Sequence, residues 1–359
     1  MIVLFAPDSF KGTLTSVQVA RALADGWLRA RPDDEVLLCP LADGGEGTLE
    51  AVAAAGGWDW RSTVVQDPLG RLVTARWLSG TVDGVPTAVI EMAEASGLSR
   101  VARDERDPIA ATSVGTGELL AAAMAQGHDR VVLGIGGSAT TDGGRGLLEA
   151  LPSPQRFAAD LVVACDVSNP LLGADGAAAV FGPQKGATPE QVGFLDSRNA
   201  AWADALEAET GRRERFTPGA GAAGGVGFGL LASQDRFRSF ALRPGVDLVM
   251  EATDFDARLA RADLVITGEG RIDAQTAFGK TALGVATRAQ AATKPCIGVG
   301  GSVEAEGVDA LAAVGAQAIP VWETPVPLDV ALAAGPAPLE ACGERLARAW
   351  PDTGSQPPA

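Results

Sequence analysis

Short apolar runs alternate with longer amphipathic stretches along most of this 359-residue chain. That alternation predicts an α/β fold with a largely parallel sheet. Residues 2–6 read as a buried strand. A helix follows, because Thr15 and Gln18 have capping-box spacing and Ala20, Leu23, Ala24, Trp27 and Leu28 recur on one face. Residues 35–41 predict the next strand and 46–55 the next helix. Between about 60 and 92 the character changes to short β-rich pieces at 62–66, 73–79 and 87–91. Turn signals at Asp67-Pro68-Leu69-Gly70 and Asp83-Gly84 separate them, the pattern of antiparallel strands.

The α/β rhythm then resumes. Thr112 is placed to cap a helix reaching about residue 126, with Gly127 ending it. A strand is expected at 131–135, then a glycine-rich turn and a helix to 151, a strand at 161–165 and a helix at 189–209. Residues 218–229 are so rich in glycine and alanine that they predict a loop, either mobile or pressed against a ligand. Strands at 264–267, 296–299 and 316–321 alternate with helices. The expected architecture is a two-domain α/β protein. A discontinuous Rossmann-like domain with a largely parallel sheet takes 1–61 and 260–352, and an inserted α/β domain with antiparallel strands takes 62–259. A disordered tail covers 353–359, and the site is expected in the cleft between the domains.

Composition narrows the chemistry. A net charge of −16 argues against a nucleic-acid partner, which demands a basic face, but leaves room for a small anion held by a few local cations and amides. One histidine, His128, in a polar stretch, rules out a multi-histidine metal site and argues against a Ser-His-Asp hydrolase. Acid–base work falls to carboxylates or lysines, and His128 itself reads as a solvated turn residue. Cys39, Cys165, Cys296 and Cys342 form no CxxC pair and read as buried free thiols of a reducing compartment. The start MIVLFAPDS lacks a signal-sequence pattern and no apolar run reaches membrane-spanning length. The expectation is a cytoplasmic protein with small-molecule partners, no membrane and no nucleic acid. Monomer and homodimer both remain open.

Five polar clusters stand where strands are expected to end, at 7–12, 43–47, 134–142, 166–169 and 268–273. Ligands of open α/β sheets bind at the carboxyl ends of strands. Clusters combining glycine with Asp, Glu, Ser, Lys or Arg converge on phosphate and metal chemistry. Gly134-Ile-Gly-Gly-Ser-Ala139 also matches the G-x-G-x-x-A dinucleotide fingerprint, but its acidic partner, Asp166, comes too late. Gly279-Lys280-Thr281 resembles the end of a Walker A loop, yet Ala274 stands where its first glycine belongs. Lys280 at a helix start remains able to meet a phosphate. Asp8, Asp43, Asp142, Asp166, Glu269 and Asp273 offer carboxylates for Mg²⁺ and for a base, although any one alone would serve equally as a turn former or cap.

The segments PDSFKGTLTS at 7–16, PLADGGEGT at 40–48, GIGGSATTDGG at 134–144, ACDVSNPLLG at 164–173, VFGPQKGAT at 180–188, PGAGAAGGVGFGLLA at 218–232 and DLVITGEGRID at 263–273 resemble, in order, the bacterial glycerate kinase family. The resemblance implies a two-domain α/β enzyme using Mg²⁺ and ATP to turn D-glycerate into phosphoglycerate, usually the 2-phosphate. It covers nearly the whole chain. Position and residue type then suggest roles. Amides and hydroxyls at Gly136, Gly137, Ser138, Gly224 and Gly225, with Lys280, would meet ATP. Lys11 or Lys185 would neutralise the transferred group, and Asp43 or Asp166 would accept the hydroxyl proton. Arg271, with Ser9, Asn169 and Asp8, would hold the substrate, and Asp273, Glu269 and Asp142 the metal. Two departures stand out: Thr141 where the family usually has Asn, and a short connection over 152–160. A nicotinamide-dependent hydroxyacid dehydrogenase and a non-catalytic sugar-acid-binding protein are the competing readings.

Overall fold

The computed structural model describes residues 1–152, 156–274, 276 and 281–351. The predicted tail at 353–359 lies outside them. Strands run in chain order as β1 (Ile2–Phe5), β2 (Glu35–Leu38), β3 (Asp59–Gln66), β4 (Leu72–Val82), β5 (Val85–Glu91), β6 (Arg130–Gly134), β7 (Asp160–Ala164), β8 (Ser239–Arg243), β9 (Leu264–Ile272), β10 (Cys296–Val303) and β11 (Ala316–Pro320). Two compact units carry them. Met1–Asp43, Glu50–Gly56 and Val249–Ala359 form the first, and Gly44–Leu49 with Gly57–Leu248 the second.

The first unit holds a five-stranded sheet in the order β11-β10-β9-β1-β2, parallel throughout. Its first helix, Ser16–Ala30, begins as its sequence dictates. The Gln18 amide donates to Thr15 Oγ1 at 3.2 Å and the Thr15 amide to Gln18 Oε1 at 2.9 Å. Val19, Leu23 and Trp27 join Val3, Phe5, Ile266 and Val299 in one buried core. The helix also lies against Ala337–Ala349, and two glycines set that spacing. A Cβ on Gly26 would stand 1.9 Å from the Glu340 carbonyl oxygen, and one on Gly343 2.2 Å from that of Leu23.

The second unit holds a six-stranded sheet, β3-β4-β5-β6-β7-β8. β3, β4 and β5 pair antiparallel, and β5 to β8 pair parallel. Asp83 and Gly84 make the β4–β5 turn with φ of 51° and 78°, the two-residue hairpin loop that DG favours. Trp77, Ile90, Leu119, Leu133, Val163 and Phe228 lie in its core.

Four local expectations change. The helix after residue 112 spans Val114–Ala125, with Ser113 at its cap position; Thr112 Oγ1 instead accepts from the Val114 amide at 3.4 Å. The stretch over 218–229 is no loose loop: most of it belongs to Ala222–Ala232, a kinked helix buried in the unit. β9 continues to Ile272, so the cluster at 268–273 is largely strand, held by pairing with β10 as far as Val303. His128 is buried rather than solvated. Its Nδ1 lies 2.9 Å from the Ala123 carbonyl oxygen and so carries the proton, leaving Nε2 to accept from Ser79 Oγ at 2.9 Å. The four cysteines are free, with Cys39, Cys296 and Cys342 buried.

Gly343→Ala should lower stability by about 1–3 kcal/mol, because the methyl group must displace backbone. Gly193→Ala should do the opposite. Gly193 sits within the helix Pro189–Thr210 with nothing near its missing Cβ, so alanine should add about 0.5–1 kcal/mol. Urea unfolding of the two variants beside the parent checks both signs.

Candidate active site

In the first unit, loops and strand ends gather charge around the start of the 7–12 segment. Asp8 leaves β1 with its amide donating to the Gly268 carbonyl at 2.8 Å. Its carboxylate is buried and accepts from the Ser9 amide at 2.6 Å and from Thr281 Oγ1 at 2.7 Å. Burial, and then the neighbouring Asp43 charge, push the Asp8 carboxyl above its ordinary range. Asp8 is thereby committed to holding its own loop. Lys11 is 73% exposed and its Nζ lies 2.9 Å from Asp43 Oδ2. Desolvation opposes the Lys11 charge, but Asp43, Asp8 and Glu269 outweigh it and raise its pKa.

β9 brings the other members. Glu269 is buried and accepts from Thr276 Oγ1 at 2.6 Å, while the Asp273 amide donates to the same hydroxyl at 3.1 Å. Arg271 points outward, 63% exposed, with its Nε 3.9 Å from both Asp273 and Glu304. Those separations are too long for tight pairing and leave its planar fork available. Gly270 lets the Phe10–Lys11 backbone lie over the strand, 3.4 Å from where a Cβ would stand. Thus Asp8, Ser9, Lys11, Asp43, Glu269, Arg271 and Asp273 come together in this unit. Thr281, noted in the sequence only as the end of the Walker A-like run, joins them, as do Thr276 and Glu304, which were not singled out; only closeness to the 268–281 stretch or to a strand end could have marked those two. Lys280 lies outside the described residues.

In the second unit, the segment after β6 gathers the rest. Gly136 passes so close to Gly45 that a Cβ would meet its Cα at 2.6 Å, and Gly137 turns with φ of 72°. Lys185 is only 2% exposed and donates to Ser138 Oγ at 2.9 Å and to the Thr140 carbonyl at 2.6 Å. Burial pulls its pKa down to about 7, against the opposing pull of Asp142. Asp142 accepts at Oδ2 from the Ser113 amide and hydroxyl, both 2.8 Å, and from the Gly146 amide at 3.2 Å; Oδ1 takes the Gly144 amide at 3.2 Å. That carboxylate binds backbone.

Gly224 and Gly225 pack on this same segment. A Cβ on Gly224 would stand 1.9 Å from the Thr140 carbonyl oxygen, and one on Gly225 2.6 Å from Gly143 Cα. At these two positions the close approach that the glycines permit is to the chain's own backbone. Asp166, exposed beyond β7, accepts the Gly245 amide at 2.9 Å. Asn169 Nδ2 donates to the Asp175 carbonyl at 2.9 Å. A separate hollow of about 230 Å³ is lined by Glu46, Glu91, Ala93, Glu94, Ser99 and Arg100, none of them a predicted site residue. Its Glu94 is paired with Arg76 and Arg100.

Two readings of chemistry are narrowed by this geometry. The dinucleotide fingerprint needs a helix to open directly on its glycines. Here the helix after β6 opens only at Arg145, beyond the whole G-x-G-x-x-A run. Among the described residues no three His, Cys, Asp or Glu side chains converge as a metal cage. Magnesium needs no such cage, since one or two carboxylates and substrate phosphates hold it.

The depressed Lys185 pKa has a sign that can be measured. The folded protein releases this proton near pH 7 and the unfolded chain near 10.5, so the unfolded state binds more protons in between. Relative to Lys185→Met, the parent should therefore gain stability as pH rises from 7 toward 10. The slope should be no more than about 1.4 kcal/mol per pH unit, the limit for one proton. Urea midpoints of both proteins across that range check it.

The glycerate kinase family model matches the chain over residues 3–155 and 152–351. A glycerate kinase of Bacillus subtilis is 42% identical over 357 residues, covering 89% of this chain and 92% of the relative. The glycerate 2-kinase of Escherichia coli is 40% identical, covering 88% and 90%. A crystal structure described as glycerate kinase 2 from Salmonella typhimurium superposes with a TM-score of 0.81 at 40% identity, covering 97% of both chains. The matches run through both units and through every segment that carries the clustered carboxylates and lysines. This chain belongs to the glycerate kinase family.

Proposed function

We propose that the chain transfers the γ-phosphate of ATP to the 2-hydroxyl of D-glycerate, with Mg²⁺ as the phosphate counter-ion. The carrying observation is the first unit's cluster, which sets Lys11 against Asp43, and Arg271 beside Glu269 and Asp273, at the end of a parallel sheet. Each part answers a need of phosphoryl transfer, which is mostly positioning and charge stabilisation. The Arg271 fork suits the glycerate carboxylate. Asp43 takes the proton of the attacking hydroxyl, and Lys11 stands next to it to meet the charge spreading over the transferred group. Glu269 and Asp273 are hard oxygen donors, buried and ordered by one shared hydroxyl, and would hold the metal. When bound, Mg²⁺ supplies charge neutralisation at the phosphates.

Asp43 is preferred over Asp166 as the base because Lys11, Glu269 and Arg271 belong to its own cluster. The choice of the 2-hydroxyl rests on the name of the Escherichia coli relative. The dehydrogenase alternative loses its support with the late helix start. No described helix is long and apolar enough to cross a membrane.

Coupled ADP release with D-glycerate tests the reaction, and phosphorus NMR of the product should show the 2-phosphate; a 3-phosphate would overturn the regiochemistry alone. Asp43→Asn should cut kcat by about 10²–10⁴-fold, the usual worth of a positioned base. Asp166→Asn should change it by less than about tenfold on the same scale. Arg271→Ala should raise the KM for glycerate far more than that for ATP. Equal losses in Asp43→Asn and Asp166→Asn would defeat the assignment.

A further inference from the structure

The second unit contains an imbalance that its own contacts leave uncorrected. Lys185 has three hydrogens when charged, and among the described residues two find acceptors, Ser138 Oγ and the Thr140 carbonyl. Because Ser138 Oγ accepts from the ammonium, the hydroxyl hydrogen of Ser138 must look for another acceptor, and no described residue takes it. The next residues repeat the situation. Thr140 Oγ1 and Thr141 Oγ1 are buried and make no hydrogen bond among the described residues. A buried hydroxyl without a partner costs about 1–3 kcal/mol, so a run of them is a strained arrangement unless something completes it.

The neighbouring acceptors are already engaged. Asp142 receives Ser113, Gly144 and Gly146. The Thr141 carbonyl receives Arg198 at 3.1 Å. The Gly224 carbonyl receives the Gly143 amide at 3.0 Å. What remains around residues 138–141 is a set of hydroxyls with unused hydrogens beside a buried lysine. Hydroxyl hydrogens left unused in this way can be taken by the oxygens of a ligand.

We propose that Ser138, Thr140 and Thr141 form a hydroxyl subsite for an anionic oxygen, phosphate or carboxylate, and that Lys185 is the positioning residue that turns the Ser138 hydroxyl toward it. This deepens the kinase reading and rests on it for the identity of the anion, which is either a phosphate of ATP or the carboxylate of glycerate. Lys185 touches neither. At 2% exposure, with two bonds into the segment, it fixes the backbone at Thr140 and the hydrogen direction at Ser138.

Binding of the intact protein to ATP, D-glycerate and inorganic phosphate, each titrated separately, tests the subsite. Ser138→Ala, Thr140→Val and Lys185→Met are compared with the parent. Ser138→Ala and Thr140→Val should each weaken one of the two substrates at least tenfold and leave the other within twofold. Loss on ATP assigns the subsite to phosphate; loss on glycerate assigns it to the carboxylate. Lys185→Met should weaken the same ligand as Ser138→Ala, and the double variant should lose little more than either single one, which a general loss of structure would not reproduce. Thr140→Val should melt no lower than the parent, since it deletes only an unpaired hydroxyl, so folding does not confound its result. Changes under twofold for both substrates in both hydroxyl variants would overturn the subsite while ADP release by the parent left the kinase reading intact. Should the parent release no ADP, weakened phosphate binding in the same variants would still support the subsite, and unchanged phosphate binding would overturn it.

Discussion

The second unit is organised by backbone brought against backbone more closely than any side chain allows. The segment after β6 meets Gly45 at Gly136, and the kinked helix Ala222–Ala232 at Thr140 and Gly143. A single methyl group on Gly224 would stand 1.9 Å from a carbonyl oxygen, far inside van der Waals contact. Dense packing of this kind has little compressibility and transmits displacement rather than absorbing it. The other features of the segment follow. Asp142, half-buried, ties together the starts of Val114–Ala125 and Arg145–Ala150, and Lys185 is almost wholly buried.

What was legible in the sequence was whatever is decided locally. The Thr15–Gln18 box and the Asp83-Gly84 turn form as read, because each depends on residues within four positions of one another. The parallel and antiparallel pieces were also readable from their patterning. Non-local contacts were not. His128 looked like a polar turn residue, yet Ser79 and the Ala123 carbonyl satisfy both ring nitrogens and Trp77 lies edge-on to its ring at 5.5 Å. The glycines of 218–229 signalled close approach but could not say to what. β9 ran on through a polar, glycine-rich stretch because β10 supplied a partner to pair with.

The candidate site divides along the same line. Residue types suited to phosphate and metal chemistry could be picked out, and those of the first unit do gather. Their employment could not be read. Asp8 and Asp142 carry the right functional group and use it on backbone amides and hydroxyls, whereas Asp43 meets the Lys11 ammonium and Arg271 reaches toward solvent. The kind of partner, rather than charge, separates the two: local backbone on one side, a charged side chain or water on the other. The same distinction dismisses the dinucleotide fingerprint, whose glycines here serve contact with neighbouring chain and not the opening of a helix.

The pairing of Ser16–Ala30 with Ala337–Ala349 carries a consequence for biosynthesis. The first helix to leave the ribosome finds its closest companion only when the last has been made, since Gly26 and Gly343 fit each helix to the other's backbone. Its apolar face, with Val19, Leu23 and Trp27, must wait through the synthesis of nearly everything between. The second unit draws almost entirely on one uninterrupted stretch, Gly57–Leu248, and is free to fold while translation continues. The nascent chain can thus complete its hydroxyl-rich segment before its Lys11–Asp43 cluster, and termination between Leu248 and Ala337 would leave the first helix without its companion.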